Sequence, residues 1–246
     1  MNSTKRDLIV LCTYNEIENL PEMIKELLQL YGSDSDILVV DDQSPDGTGK
    51  WATLESETEP RLKVINRKGL AGLGAATKDA ILYFTSKDYG WMVQLDADFS
   101  HPLKYILEMR NLRTSGEVLL GSRYIKGGSF GDYPLFRQVL SKVTNFFFRF
   151  LLGIHVKDAT QSFMMVSKES LQKINPSLLL SHGFPIFMEL KYRYERQNII
   201  INEIPIVIKD RERGETKMSF KQGWEIFKLF FRLKISDRNS VIRLKK

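Results

Sequence analysis

The sequence predicts an α/β fold, a parallel sheet covered by helices on both faces. Three observations carry that expectation. Over the first 120 residues, short apolar runs alternate with amphipathic stretches of helical length. The runs are continuously apolar, as strands buried on both faces are. Each run also ends in polar residues, as strands do where an open α/β sheet meets a ligand crevice.

In chain order, Leu8-Ile9-Val10-Leu11 reads as the first strand, Thr13-Tyr14-Asn15-Glu16 as a loop, and Ile17 to Tyr31 as a helix. Ile37-Leu38-Val39-Val40 is a second strand ending in Asp41-Asp42, and Asp46-Gly47-Thr48 turns into a helix beginning near Lys50. Leu62 to Asn66 is a third strand ending beside Arg67, Leu73 to Lys87 a helix, and Trp91 to Leu95 a fourth strand. That last strand runs into Asp96-Ala97-Asp98-Phe99-Ser100-His101-Pro102. Two carboxylates there are hard oxygen donors, suited to a divalent cation that holds a diphosphate. Asp is also a common turn former at a strand end.

After Gly121-Ser122-Arg123-Tyr124 the pattern changes. Pro134 to Val156 reads as one helix or two, with Leu135, Val139, Val143, Phe146, Phe147 and Phe150 near one face, fit either for core packing or for lipid contact. Phe163 to Ser167 reads as a strand, Phe184 to Gln197 as a helix, and Ile199 to Ile208 as a strand broken at Pro205. Lys209 to Ser219 is charged and carries Gly214, which predicts a mobile loop. Phe220 to Ile235 is a basic, aromatic-rich amphipathic helix of the kind that lies on a membrane surface or packs on a core.

With 246 residues, 43% of them hydrophobic and 27% charged, the chain can bury one full core. The predicted organisation is a domain over 1–215 and a basic amphipathic helix and tail over 216–246. Net charge is +6, yet residues from Lys209 onward carry twelve Lys and Arg against five Asp and Glu, so the tail is the basic part. A segment so charged suits an anionic membrane surface or nucleic acid, or is a solvated face; the membrane surface is the expected partner, and no nucleic acid is expected. The start lacks a signal-peptide core and no apolar run is long enough to span a bilayer, which predicts a cytoplasmic chain, peripheral at a membrane face. The single cysteine, Cys12, excludes an internal disulfide and reads as an inert core thiol. His101, His155 and His182 lack ligand spacing, so a metal would be held by oxygen.

Two glycine motifs are decoys. Gly47-Thr48-Gly49-Lys50 ends like a phosphate loop, but Ser44 stands where the first glycine belongs and Trp51 where the Mg2+-binding hydroxyl belongs. Gly72-Leu73-Gly74 lacks the third glycine of a dinucleotide fingerprint, since Thr77 occupies that place. Close packing of a helix start is the expected use of Gly72 and Gly74.

Together, Thr13-Tyr14-Asn15-Glu16, Asp41-Asp42-Gln43-Ser44-Pro45-Asp46-Gly47-Thr48, Asp96-Ala97-Asp98 with Ser100-His101-Pro102, Gly121-Ser122-Arg123-Tyr124 and Asp210-Arg211 with Lys217 resemble the family-2 glycosyltransferases of GT-A fold. Within that family they are similar to the polyprenyl (dolichyl) phosphate mannosyltransferase branch. The resemblance implies a Rossmann-like, mostly parallel sheet with C-terminal amphipathic helices. It implies inverting transfer from a nucleotide sugar, with GDP-mannose the favoured donor, to a polyprenyl phosphate lipid, and leaves room for a membrane-anchoring subunit. Another nucleotide sugar, or a glycan acceptor, is the alternative. Thr13, Tyr14, Glu16, Asp42 and Arg67 would bind the nucleotide, and Asp96 and Asp98 would bind Mg2+ or Mn2+. Arg123, Arg137 and Ser141 would grip the acceptor phosphate, and Arg211 and Lys217 would close on the donor phosphates.

The chain departs from the family pattern in its second half. The family usually reads Asp-x-Thr-Ser-Gly-Phe-Arg where this chain has Asp158-Ala159-Thr160-Gln161-Ser162-Phe163-Met164, and Phe187 stands where glutamine is usual.

Overall fold

A computed structural model of the chain describes residues 5–70, 72–114, 116–209 and 225–235. Seven strands form one sheet: β1 (Asp7–Thr13), β2 (Ser35–Asp41), β3 (Leu62–Asn66), β4 (Trp91–Leu95), β5 (Glu117–Ser122), β6 (Met164–Ser167) and β7 (Ile200–Pro205). Their order is β3-β2-β1-β4-β6-β5-β7. The helices are α1 (Leu20–Tyr31), α2 (Thr48–Thr58), α3 (Leu73–Ser86), α4 (Lys104–Leu112), α5 (Leu135–Leu152), α6 (Lys168–Gln172) and α7 (Ile186–Arg196). A last helix, α8, covers 225–235.

Period-two alternation divides each central strand between two cores. Leu8, Val10, Leu38 and Val40 face a layer built with Ala76, Ala80 and Phe84 of α3 and Phe187 and Leu190 of α7. Ile9, Leu11, Ile37 and Val39 face the opposite layer, where α1 presents Leu20, Met23, Ile24, Leu27 and Tyr31 at helical spacing. A strand covered on both sides has no polar face, which is why these runs are uninterrupted.

One strand runs against the others, so the sheet is mostly parallel, as expected. β6 pairs antiparallel with both β4 and β5, with Met164 opposite Gln94 on one side and Leu120 on the other. The remaining pairs are parallel. The reversal has a geometric consequence: residues just before Met164 lie at the same sheet edge as the C-termini of β4 and β5. The stretch 158–163 is therefore placed between Asp96 and Arg123.

Several boundaries differ from expectation. Where one helix or two were expected over Pro134 to Val156 there is a single helix, α5, over Leu135–Leu152, stopped by Gly153 in the left-handed region at φ 65. α1 starts at Leu20 and α2 at Thr48. β7 ends at Pro205, where proline removes a ladder donor, and Val207 makes only an isolated bridge to Ser129. α4 and β5 add to the expected elements. α8 turns Leu229 and Leu233 into the core shared with α3 and α7, so part of the basic tail is a packed element. Its other face leaves Phe227, Phe231 and Ile235 exposed. Arg211, Lys217 and the expected 215/216 boundary lie outside the described residues. Among the described residues, no helix is long and apolar enough to cross a membrane.

Candidate active site

β1, β2, β3 and β4 end on one sheet edge, and the polar residues at the ends of the first three are tied into a single rim. Thr13 Oγ1 donates to Asp41 at 3.1 Å, and Asp41 also accepts from the Ser44 backbone N–H at 3.0 Å and its hydroxyl at 2.6 Å. The next loop is tied to this one. Backbone N–H groups of Asn15, Glu16 and Ile17 donate to Ser44 Oγ, Thr48 Oγ1 and Asp46 Oδ2 at 2.9, 3.0 and 3.1 Å. Burial raises the pKa of Asp46, but bonds from Thr48 and Ile17 outweigh it and hold the carboxyl below its ordinary range. Tyr14 is 45% exposed on this rim.

Asp42 is buried and ion-paired with Arg67, and it accepts from the Gly72 N–H at 2.5 Å. Arg67 also reaches Asp79 at 2.7 Å and the Leu70 carbonyl at 3.0 Å. The nucleotide residues expected from sequence thus share one edge, with Arg67 fixed between two carboxylates.

The Gly72-Leu73-Gly74 start of α3 packs on backbone, not on the sheet. Gly74 and Ala75 both donate to the His182 carbonyl, at 2.7 and 3.2 Å. A Cβ on Gly74 would stand 2.7 Å from the His182 carbonyl carbon.

Asp96 and Asp98 leave the end of β4 in one tight turn. Phe99 takes a left-handed φ of 58, and Asp98, 2% exposed, accepts from the Ser100 N–H at 3.1 Å. Asp96 accepts from Ser162 Oγ at 3.2 Å, while its own N–H donates to His101 Nδ1 at 3.2 Å. His101 Nδ1 is therefore an acceptor, and its Nε2–H donates to Gln161 Oε1 at 2.9 Å. The ring stacks on Phe163 with centroids 5.1 Å apart. His101 is a clasp between the acidic turn and the stretch 158–163.

On the other side, Arg123 follows β5 and makes a two-pronged pair with buried Asp158, Nε and Nη2 each at 2.7 Å. Nη2 also donates to Thr160 Oγ1 at 2.7 Å. Burial opposes both charges, yet the pairing prevails: Asp158 is held below the carboxylate range and Arg123 above its usual value. Ser141 Oγ lies 2.9 Å from Tyr124 Oη and 3.3 Å from Thr160 Oγ1, so Arg123 and Ser141 share one network. Arg137 stands one turn before Ser141 on α5, its guanidinium beside the Tyr133 and Phe136 rings.

Beside His101, Asp158 and Thr160, the residues Gln161, Ser162, Asn145 and Lys191, all absent from the expected set, hold this arrangement. Asn145 accepts from the Ala159 N–H at 2.7 Å and donates to Thr160 Oγ1 at 3.1 Å. Lys191 is 0% exposed inside α7, among Phe187, Leu190 and Tyr194. Burial pushes its ammonium down to about 7, with Asp158 and Glu203 opposing that and Arg123 adding to it. Its place on the apolar face of α7 was the available signal. Cys12, whose thiol burial pushes up to about 12, is an inert core group as expected.

For a metal, the donor set is two carboxylates. Among the described residues no group of three or more His, Cys, Asp or Glu gathers as a cage. Asp96 and Asp98 fit the other mode, in which one or two carboxylates hold a Mg2+-like ion whose remaining positions go to substrate phosphates and water.

Comparison with known proteins bears on the family and the fold. The model of glycosyl transferase family 2 matches residues 8–175. The chain is 37% identical to polyprenol monophosphomannose synthase of Mycolicibacterium smegmatis, over 88% of this chain and 82% of that one. It is 33% identical to undecaprenyl-phosphate mannosyltransferase of Micrococcus luteus, over 87% and 88%. Glucosyl-3-phosphoglycerate synthase from Mycobacterium tuberculosis, solved with Mn2+, uridine diphosphate and glucosyl-3-phosphoglycerate, aligns at TM-score 0.60 and 17% identity, over 85% of this chain and 73% of that one. That likeness shows the fold. A mostly parallel sheet with its polar strand ends on one edge, matched over residues 8–175, identifies the chain as a glycosyltransferase of family 2, with the GT-A fold.

Proposed function

We propose that the enzyme transfers mannose from GDP-mannose to a polyprenyl monophosphate, with inversion, at the cytoplasmic face of a membrane. The observation that carries this reading is the stretch 158–163, which touches the acidic pair through Ser162 and the arginine through Asp158. A phosphate-bearing donor and a phosphate-bearing acceptor would meet across it. The names of the two relatives above support the same pairing of sugar and lipid.

The chemistry follows from charge. A phosphate monoester has its second pKa near about 6, so it is largely a dianion at neutral pH and attacks without a general base. The site must then bring two anionic groups together. Mg2+ or Mn2+, held by Asp96 and Asp98, would neutralise the donor diphosphate and ease its departure. Arg123 uses Nε and Nη2 on Asp158 and Thr160, which aims its other edge while fixing the guanidinium plane. Arg123, Arg137 and Ser141 then grip the acceptor phosphate. Thr13, Tyr14, Glu16, Asp42 and Arg67 seat the nucleotide, and Arg211 and Lys217 add positive charge over the donor.

α5 supplies the lipid side. Phe146 and Phe150 are 62% and 74% exposed, with Leu135, Phe136 and Val139 exposed beside the acceptor residues Arg137 and Ser141. An apolar face of this size, edged by Arg137 and Lys142, fits an anionic membrane surface. The test is a panel of labelled nucleotide sugars with polyprenyl phosphate or glycan acceptors. Label from GDP-mannose entering a lipid-extractable product is the expected result. Label entering only glycan, or only from another nucleotide sugar, would replace this reading.

A further inference from the structure

We propose that the stretch 158–163, clamped by Lys191, is one positioning unit that sets the metal carboxylate Asp96 and the acceptor arginine Arg123 together. The proposal rests on the function assigned above. Lys191 Nζ donates to the carbonyls of Ala159 at 3.1 Å, Phe187 at 3.3 Å, and Gln161. Three acceptors match the three N–H groups of an ammonium.

The backbone here is irregular and buried, ahead of the β6 ladder, so its carbonyls need partners from outside the sheet. Lys191 supplies them from α7, across the core. A methionine would fill the same space without burying a charge, so the ammonium contributes something other than packing. What it fixes can be followed outward from the clamp. Asp158, one residue before the first held carbonyl, carries Arg123. Gln161, whose own carbonyl is held, accepts from His101 through its side chain, and Ser162 donates to Asp96. Gln161 and Ser162 are also where the chain departs from the usual family pattern. A shift of this one stretch moves both halves of the site.

The test uses the full chain, with Lys191→Met and Gln161→Leu beside wild type. Calorimetry measures affinity for GDP with Mn2+, and separately for a short isoprenyl phosphate, neither requiring turnover. Thermal melts report the fold. The expected result is a loss of roughly 10- to 100-fold in Mn2+-dependent GDP affinity, the range seen when partners of metal ligands are removed. A parallel loss of acceptor affinity, about tenfold, should accompany it. Ser162→Ala should weaken the Mn2+-dependent half alone. If Lys191→Met does not fold, Gln161→Leu decides, because it breaks the same path at a milder point. In Lys191→Met and Gln161→Leu, a lower melting temperature with both affinities unchanged overturns the proposal, as does weakening of one half only. Wild type that binds both ligands yet transfers nothing would refute the assigned function and leave this coupling standing. Normal transfer and affinities in both variants would do the reverse.

Discussion

Lys191 titrates in the neutral range and makes folding stability depend on pH. Its pKa in the folded chain is about 7, against 10.5 for an exposed lysine. Below pH 7 both states are protonated, and the folded state bears the full cost of a buried charge. Between about pH 7 and 10.5 the unfolded chain holds a proton that the folded chain has released, so this contribution to stability rises with pH. Urea unfolding of wild type and Lys191→Met across that window should give a stability difference that shifts toward wild type as pH increases. A flat difference would mean that Lys191 stays charged throughout. Asp158 has the opposite sign and another window. Its depressed pKa means that the stability from its pairing with Arg123 is present above about pH 4. It is lost as pH falls through the lower folded value.

At the scale of elements, α3 and α5 make separate predictions. The start of α3 leaves no room for a side chain: a Cβ on Gly74 would meet His182, Ser181 and Gly183 backbone atoms at 2.7 to 2.9 Å. Backbone cannot rotate away as a side chain can, so Gly74→Ala should lower stability by roughly 1–3 kcal/mol. Chemical denaturation that shows no loss would contradict this packing. On α5, Phe146 and Phe150 stack with centroids 6.0 Å apart on the exposed face. Burying one such ring in lipid is worth about 1.5–3 kcal/mol. Phe146→Glu with Phe150→Glu should thus cut sedimentation with anionic vesicles by about tenfold or more, at an unchanged melting temperature. Equal sedimentation would remove α5 from the membrane account. α8 needs a gentler probe than deletion, because Leu229 and Leu233 are core residues.

At the scale of the molecule, the first half of the fold was legible because its strands are apolar on both faces and each ends in polar residues. Thr13, Asp42, Arg67, Asp96 and Asp98 follow parallel strands, so sequence order alone put them on one edge. The reversed β6 was not legible, since a run as short as Met164-Met165-Val166-Ser167 carries no mark of direction. Nor was the pairing of Arg123 with Asp158, which are 35 residues apart and meet only because β6 is reversed. Lys191 escaped notice because a lysine in a helix usually reaches solvent, and its place on the apolar face of α7 was the one sign in the sequence that this one does not. The acidic pair was thus found from its strand end, while the stretch that supports it needed the sheet topology.

The most direct test of the account is mannosyl transfer from GDP-mannose to polyprenyl phosphate with and without Mn2+, in wild type and Asp98→Ala. Wild type should form a lipid-linked, chelator-sensitive product, and the variant should retain the same melting temperature while losing about 100-fold or more of the rate. Near-wild-type, chelator-resistant transfer by Asp98→Ala would contradict the account.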